Sequence, residues 1–232
     1  MKKVILALVA SISFGFSMDV YALFNIDAVQ DSNLNLDSSG VVSVIKVDVG
    51  SEVKKGDILL KLSNQDKAAQ ALSVRQQYIF AKNQYLRYSK TGGAVDKNTL
   101  ENYYSNFKKL EADYKYYRAL LSKTILVAPF DGVIAEKSVE VGDGVAQNNT
   151  KLFRLVSYDK KFVIQFDSKY MDNVKVGDTF YYSIDGGARK ESVVITKIYP
   201  TIDQDTRKMT AEAAAPADMV PGTFGDGIIK TK

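Results

Sequence analysis

Apolar and polar positions along this chain follow one period, then a second, then the first again. Gly40-Val41-Val42, Val47, Val49-Gly50 and Val53 alternate with polar residues and are punctuated by glycines. That pattern predicts short strands joined by tight turns. The series returns as Gly132-Val133-Ile134, Val139, Val141-Gly142 and Val145, each position offset by 92 from its counterpart. The second copy closes on Leu152-Phe153-Arg154-Leu155-Val156. Neither copy, of about 30 residues, buries enough apolar surface to stand alone, so the two are expected to pair into one flattened barrel or sandwich over 34–62 and 124–157.

Between the copies, over 63–123, the period changes. Tyr103, Phe107, Leu110, Tyr114, Tyr117 and Leu121 are spaced 4, 3, 4, 3 and 4 apart, and Ala71, Val74, Tyr78, Ala81, Tyr85 and Tyr88 precede them at the same spacing. This is the seam of a coiled coil, interrupted at Thr91-Gly92-Gly93 by a turn. Asp96 or Asn98 is the expected cap of the second helix, and Glu101, three residues after Asn98, would complete a capping box. The prediction is an antiparallel α-helical hairpin whose arms, at 1.5 Å per residue, extend about 40 Å from the β unit. Leu72, Ile79 and Leu86 form a further stripe beside the first-helix seam. Two readings of it stay open: a wider face against the second helix, or a lateral contact with a neighbouring hairpin.

From 158 to 232 period 2 resumes. Phe162–Phe166, Thr179–Ile184 and Ser192–Ile198 read as strands of a β-barrel domain, separated by Lys175-Val176-Gly177-Asp178 and Asp185-Gly186-Gly187. Residues 23–33 are expected to add a strand to that barrel. The fold class is thus mostly β with an inserted helical hairpin.

Composition narrows the chemistry. There is no histidine and no cysteine among 232 residues, which excludes the usual zinc sites, Ser-His-Asp and Cys-His catalysis, redox dithiols and disulfides. The net charge of +4 is spread along the chain, with no basic run longer than two residues, so nucleic acid is not an expected partner. Lys2-Lys3, the apolar stretch from Val4 to Phe16 and the Val20-Tyr21-Ala22 string read as a secretory signal peptide, residues 1–22, cleaved after Ala22. Thirteen apolar residues fall short of the roughly 20 that span a bilayer. With no cysteine at the cut, a lipid anchor is ruled out there.

These residues together resemble the periplasmic adaptor subunits, or membrane fusion proteins, of tripartite efflux systems. Residues 40–62 resemble the first half of their lipoyl-like, or barrel-sandwich hybrid, domain, and Thr124–Ile134, with its Ala128-Pro129-Phe130-Asp131-Gly132 string, resembles the opening of the second. Ile198-Tyr199-Pro200, Asp203, Thr206-Arg207 and Pro221-Gly222 resemble the signature of their β-barrel domain. The resemblance implies a non-enzymatic, cofactor-free and metal-free linker in the periplasm, peripheral to the inner membrane. It would join an inner-membrane transporter, of the RND type or alternatively an ABC-type export or secretion machine, to an outer-membrane channel, six copies forming a conduit wall. It also implies that the hairpin tip, Arg87, Tyr88, Thr91, Gly92, Gly93, Ala94, Val95 and Asp96, docks on the channel. Thr91 and Asp96 stand where many such adaptors carry Leu and Ser. With the leader removed, only about a dozen residues precede Leu34, and ten follow Gly222, so the membrane-proximal domain of many relatives is expected to be absent.

Competing readings attach to three features. Asp66-Lys67-Ala68 imitates the modified lysine of a lipoyl or biotinyl carrier, but that lysine belongs on a tight hairpin between halves, whereas 61 residues intervene here. Asp203 and Asp205 lack the Gly and closing Glu of an EF-hand loop and read as a turn, with Arg207 expected to pair with a carboxylate. Met171, Met209 and Met219 are dispersed and do not suggest a soft-metal site.

Overall fold

The computed structural model of the protein describes residues 18–91, 95–184 and 191–232, which separate into two units, residues 30–157 and the segments flanking them. The turn glycines Gly92 and Gly93, Ala94, the segment 185–190 and the expected leader up to residue 17 lie outside the described residues.

Chain order in the central unit is β2 (Asp31–Leu34), β3 (Gly40–Ile45), β4 (Glu52–Val53), β5 (Ile58–Leu62), α1 (Gln65–Ser89), α2 (Lys97–Ser122), β6 (Ile125–Val127), β7 (Gly132–Lys137), β8 (Gly144–Val145) and β9 (Phe153–Ser157), preceded by β1 (Asp19–Ala28) of the other unit. Two four-stranded sheets, β2-β9-β7-β4 and β6-β5-β3-β8, enclose one core. The sequence repeat reappears here as a repeat of bonds. Gly40 pairs with Val145, and Gly132 with Val53, 92 residues on in each case. Gly50 N–H donates to Ile134 O at 2.8 Å, while Gly142 N–H donates to Val42 O at 2.9 Å. Each half therefore lends a two-residue strand to the sheet of the other.

The turns repeat as well. Gly56 N–H donates to Ala128 O at 2.8 Å and Asn148 N–H to Leu36 O at 2.9 Å. Both residues are left-handed, φ 92° and 54°, a conformation that asparagine tolerates better than other side chains. Beyond that turn the offset becomes 93: Leu59, Leu60 and Leu62 answer Leu152, Phe153 and Leu155, all buried. Gly132 has a separate reason to be glycine, since a Cβ there would lie 2.2 Å from Val156 O.

The flanking segments form a closed barrel in the order β1-β10-β13-β12-β11-β14. Its remaining strands are β10 (Lys160–Asp167), β11 (Thr179–Ile184), β12 (Glu191–Ile202), β13 (Lys208–Ala214) and β14 (Phe224–Lys230). Inside, Phe24 meets Phe162 at 4.9 Å, Phe180 at 5.8 Å and Tyr182 at 5.7 Å between ring centroids. Full burial of such side chains stabilises by roughly 1.5–3 kcal/mol each.

Two boundaries differ from the sequence reading. The first barrel strand starts at Asp19, with Val20 and Ala22 fully buried, so a cut after Ala22 would remove the first four residues of β1. Within 23–33, only the part to Ala28 belongs to the barrel; Asp31–Leu34 pairs with β9 in the central unit. The turn at Asp203 is structural, its Oδ1 accepting from Thr206 N–H and Oγ1, both at 2.8 Å. Arg207 adopts φ 57° there, and among the described residues its guanidinium makes no ion pair, contrary to expectation.

Strands β13 and β14 were not legible in the pattern. In β13 the inward positions are Met209, Ala211 and Ala213, and in β14 they are Gly225, Gly227 and Ile229, with only Ile229 a large apolar residue. The aromatic core explains them: a Cβ on Gly225 would lie 2.8 Å from the Phe24 ring, and one on Gly227 would lie 2.5 Å from the Phe180 ring. The rings occupy the space that inward side chains would fill. Gly227→Ala should therefore destabilise by about 1–3 kcal/mol, read as a lower urea midpoint with unchanged m. Adding Phe180→Leu should recover only part of that loss, because the Tyr181 carbonyl also crowds the new Cβ at 2.3 Å.

Candidate functional site

The hairpin is a pair of helices of 25 and 26 residues. Its inner face sets small residues and rings of α1 against rings of α2. Ala71, Val74 and Ala81 are buried, which leaves room for a ladder of rings. Tyr78 stacks on Tyr114 at 5.6 Å and Phe107 at 5.9 Å, Tyr85 on Phe107 at 5.9 Å, and Tyr88 on Tyr103 at 4.9 Å. Tyr78, Tyr85 and Tyr88 of the first expected seam thus meet Tyr103, Phe107 and Tyr114 of the second. Tyr104, outside that seam, also meets Tyr85, at 5.2 Å.

At its base the hairpin is held by polar contacts. Asn64 Nδ2 donates to Thr124 Oγ1 at 2.8 Å, and Thr124, fully buried, donates to Leu121 O at 2.7 Å. Lys123, just after α2, pairs with Asp37. Asp37 also accepts from Gln147 Nε2 at 2.7 Å and Asn148 Nδ2 at 3.2 Å. The hydrogen bond from Lys123, then that from Gln147, hold its carboxyl below the usual range. Lys67 Nζ donates to Ser38 Oγ at 3.1 Å. Lys67 stands in the first turn of α1 rather than on a hairpin between β halves, so the geometry of a lipoyl carrier is missing.

At the far end, Thr91 Oγ1 donates to Tyr88 O at 2.7 Å, which closes the last turn of α1. Asp96 resolves the choice of cap: its Oδ1 accepts from Thr99 N–H at 2.9 Å, while Asn98 lies inside α2. Thr99, through its side chain first and its backbone second, lowers the Asp96 carboxyl. Glu101 pairs with Lys97 at 3.9 Å instead of closing a capping box. The Arg87 guanidinium lies 5.5 Å from the Tyr88 ring, whose other contact is Tyr103. Thr91 and Asp96 are exposed and Val95 is half-buried. The tip is thus a small set of described groups, Arg87, Tyr88, Thr91, Val95 and Asp96, organised by a cap, a ring stack and a cation–π contact.

The stripe beside the seam is not covered by α2. Leu72 is 53% exposed and Leu86 41%, with Ile79 half-buried between them. Exposure of that degree does not fit a widened inner face against α2. Phe80, at 66%, and Tyr116, at 59%, add exposed apolar surface that the seam pattern did not single out. Among the described residues, no group of three or more carboxylates could hold a metal, and no helix is long and apolar enough to cross a membrane.

Known proteins share this architecture. The family model of the CzcB-like, barrel-sandwich hybrid domain matches residues 33–157, a span that takes in both lipoyl-like halves and the hairpin between them. A curated relative from Haemophilus influenzae, an uncharacterised protein, is 24% identical over 188 residues. That match takes in 79% of this chain, which spans about half the length, 49%, of the relative. A crystal structure of a MacA-MexA chimera carrying the Pseudomonas aeruginosa MexA α-hairpin domain superposes with a TM-score of 0.78 at 20% identity, over 93% of this chain and 80% of that one. The membrane fusion protein Spr0693 of Streptococcus pneumoniae R6 superposes at 0.70 with 15% identity, over 92% and 99%. At these identities the superpositions speak for the fold, and the matched domain speaks for descent. The chain belongs to the CzcB-like barrel-sandwich hybrid family.

Proposed function

We propose that this protein is a non-enzymatic periplasmic adaptor that links an inner-membrane transporter to an outer-membrane channel in a tripartite efflux pump. The observation that carries the reading is a barrel-sandwich hybrid domain whose two halves are interrupted by a long helical hairpin. A carrier domain needs a short, accessible loop at that point. A linker needs length, and each arm here spans about 40 Å at 1.5 Å per residue. In this reading the hairpin acts as a coiled coil, an RND-type transporter is the inner-membrane partner, and six copies form the conduit wall. Export by a cleaved leader delivers the chain to the periplasm.

Two surfaces are assigned roles. The tip, with Arg87, Tyr88, Thr91, Gly92, Gly93, Ala94, Val95 and Asp96, contacts the channel. Arg87 donates hydrogen bonds to carbonyls or carboxylates at its entrance, and Val95 supplies apolar contact. The exposed stripe of Leu72, Ile79 and Leu86 contacts the neighbouring hairpin.

Arg87→Glu tests the tip. The side chain is exposed, so export and melting should stay within about 0.5 kcal/mol of the parent. Crosslinking to the channel and efflux should each fall about tenfold, the size of one lost charge-assisted contact; survival of both would remove Arg87 from the interface. For the stripe, Leu72, Ile79 and Leu86 replaced together by Ser should abolish resistance and lateral crosslinking while moving the thermal midpoint little. A loss of folding equal to the loss of resistance would return the stripe to the intramolecular core. Intact mass of the purified protein tests the carrier reading, since a stoichiometric acyl group on Lys67 would replace the adaptor reading.

A further inference from the structure

β1 is the strand that closes the barrel, paired with β10 on one side and β14 on the other. Its first four residues, Asp19 to Ala22, face Lys230 to Gly227 of β14. Val20 and Ala22 point inward, 0% and 1% exposed, into the core that holds Ile229 and Phe180. The chain is engaged one residue earlier still. Met18 N–H donates to Thr231 Oγ1 at 3.0 Å, and Thr231 N–H donates to Met18 O at 3.1 Å. A chain beginning at Leu23 would leave one end of β14 without its partner strand and uncover the core beside Ile229. Unpaired strand edges and exposed apolar cores are what barrel closure exists to remove.

Val20-Tyr21-Ala22 therefore suits a signal peptidase by composition and fails by structure. The sequence upstream offers another small-x-small string, Gly15-Phe16-Ser17, directly before Met18. With a cut there, Lys2-Lys3 remains the charged region and Val4 to Phe14 the apolar core, eleven residues long, within the roughly 7–15 of such segments. From the closing contacts of β1 we infer that the leader is removed between Ser17 and Met18, a position that rests on the reading of the chain as exported. Water adds across the Ser17–Met18 amide: the C–N bond breaks, Ser17 leaves as a carboxylate on the leader, and Met18 keeps the amine. The new terminus meets a prepared environment. Met18 is 40% exposed, so an ammonium there stays hydrated, and the Thr231 hydroxyl oxygen already sits within hydrogen-bond distance to accept from it.

N-terminal sequencing of the exported protein tests this. Met18-Asp19-Val20-Tyr21 as the first residues is the expected result. Leu23 or Phe16 in first place overturns the assigned position and leaves export standing, whereas Met1 intact in the membrane fraction overturns the export reading with it. Ser17→Leu alters no residue of the barrel and should lower the yield of mature protein at least tenfold while precursor accumulates; unchanged processing overturns the proposal. Chains produced to start at Met18 and at Leu23 give a second measurement. The shorter one should melt at a lower temperature, and equal melting removes the structural reason for the upstream cut.

Discussion

The central unit depends on one exchange of backbone hydrogen bonds. β4 of the first half pairs with β7 of the second, and β8 of the second pairs with β3 of the first. Strands of two residues have no stability of their own in water. They form because Val53 and Val145 enter a core made of residues from both halves, so the halves fold together or not at all. That constraint explains the close approach at Gly132, and it also explains why an insertion between the halves must keep its ends together.

A helical hairpin meets that requirement at small entropic cost, since antiparallel helices return the chain to its starting point with most of their residues already ordered. Leu62 N–H donates to Thr124 O at 2.9 Å, so the strand leading into the hairpin is bonded to the residue that leaves it. Asn64, Thr124, Lys123 and Asp37 then fix the root of the helices to the loop before β3. A ladder of tyrosine and phenylalanine rings runs from there toward the tip. Aromatic side chains lose few rotamers on ordering and cover large areas, which suits a projection with no globular core of its own. An arm so rooted keeps its direction at the base, as the proposed linker role requires.

Much of this was legible from residue types alone. The 92-residue offset showed the paired halves, because each copy needs the same glycines and the same inward valines to make the same turns. The 3-and-4 spacing placed Tyr88 and Tyr103 on the two seams whose rings the structure stacks, because a two-helix seam selects one face by geometry. At the tip, the sequence left Asp96 and Asn98 as equal caps. Only the bond to Thr99 chose between them, since both residue types cap and the choice depends on where the chain leaves the turn.

What sequence alone determined was local: period, turn chemistry, the missing histidine and cysteine, and the order of the elements. Tertiary structure decided where partners fill one another's space. Gly225 and Gly227 give no strand signal along the chain, and only the structure shows the rings of Phe24 and Phe180 in their inward positions. Val20 and Ala22 read as the end of a leader until β1 is seen to close a barrel with them inside. In both places the deciding contact lies across the barrel wall, far away in sequence. A pattern of neighbours along the chain carries no record of it.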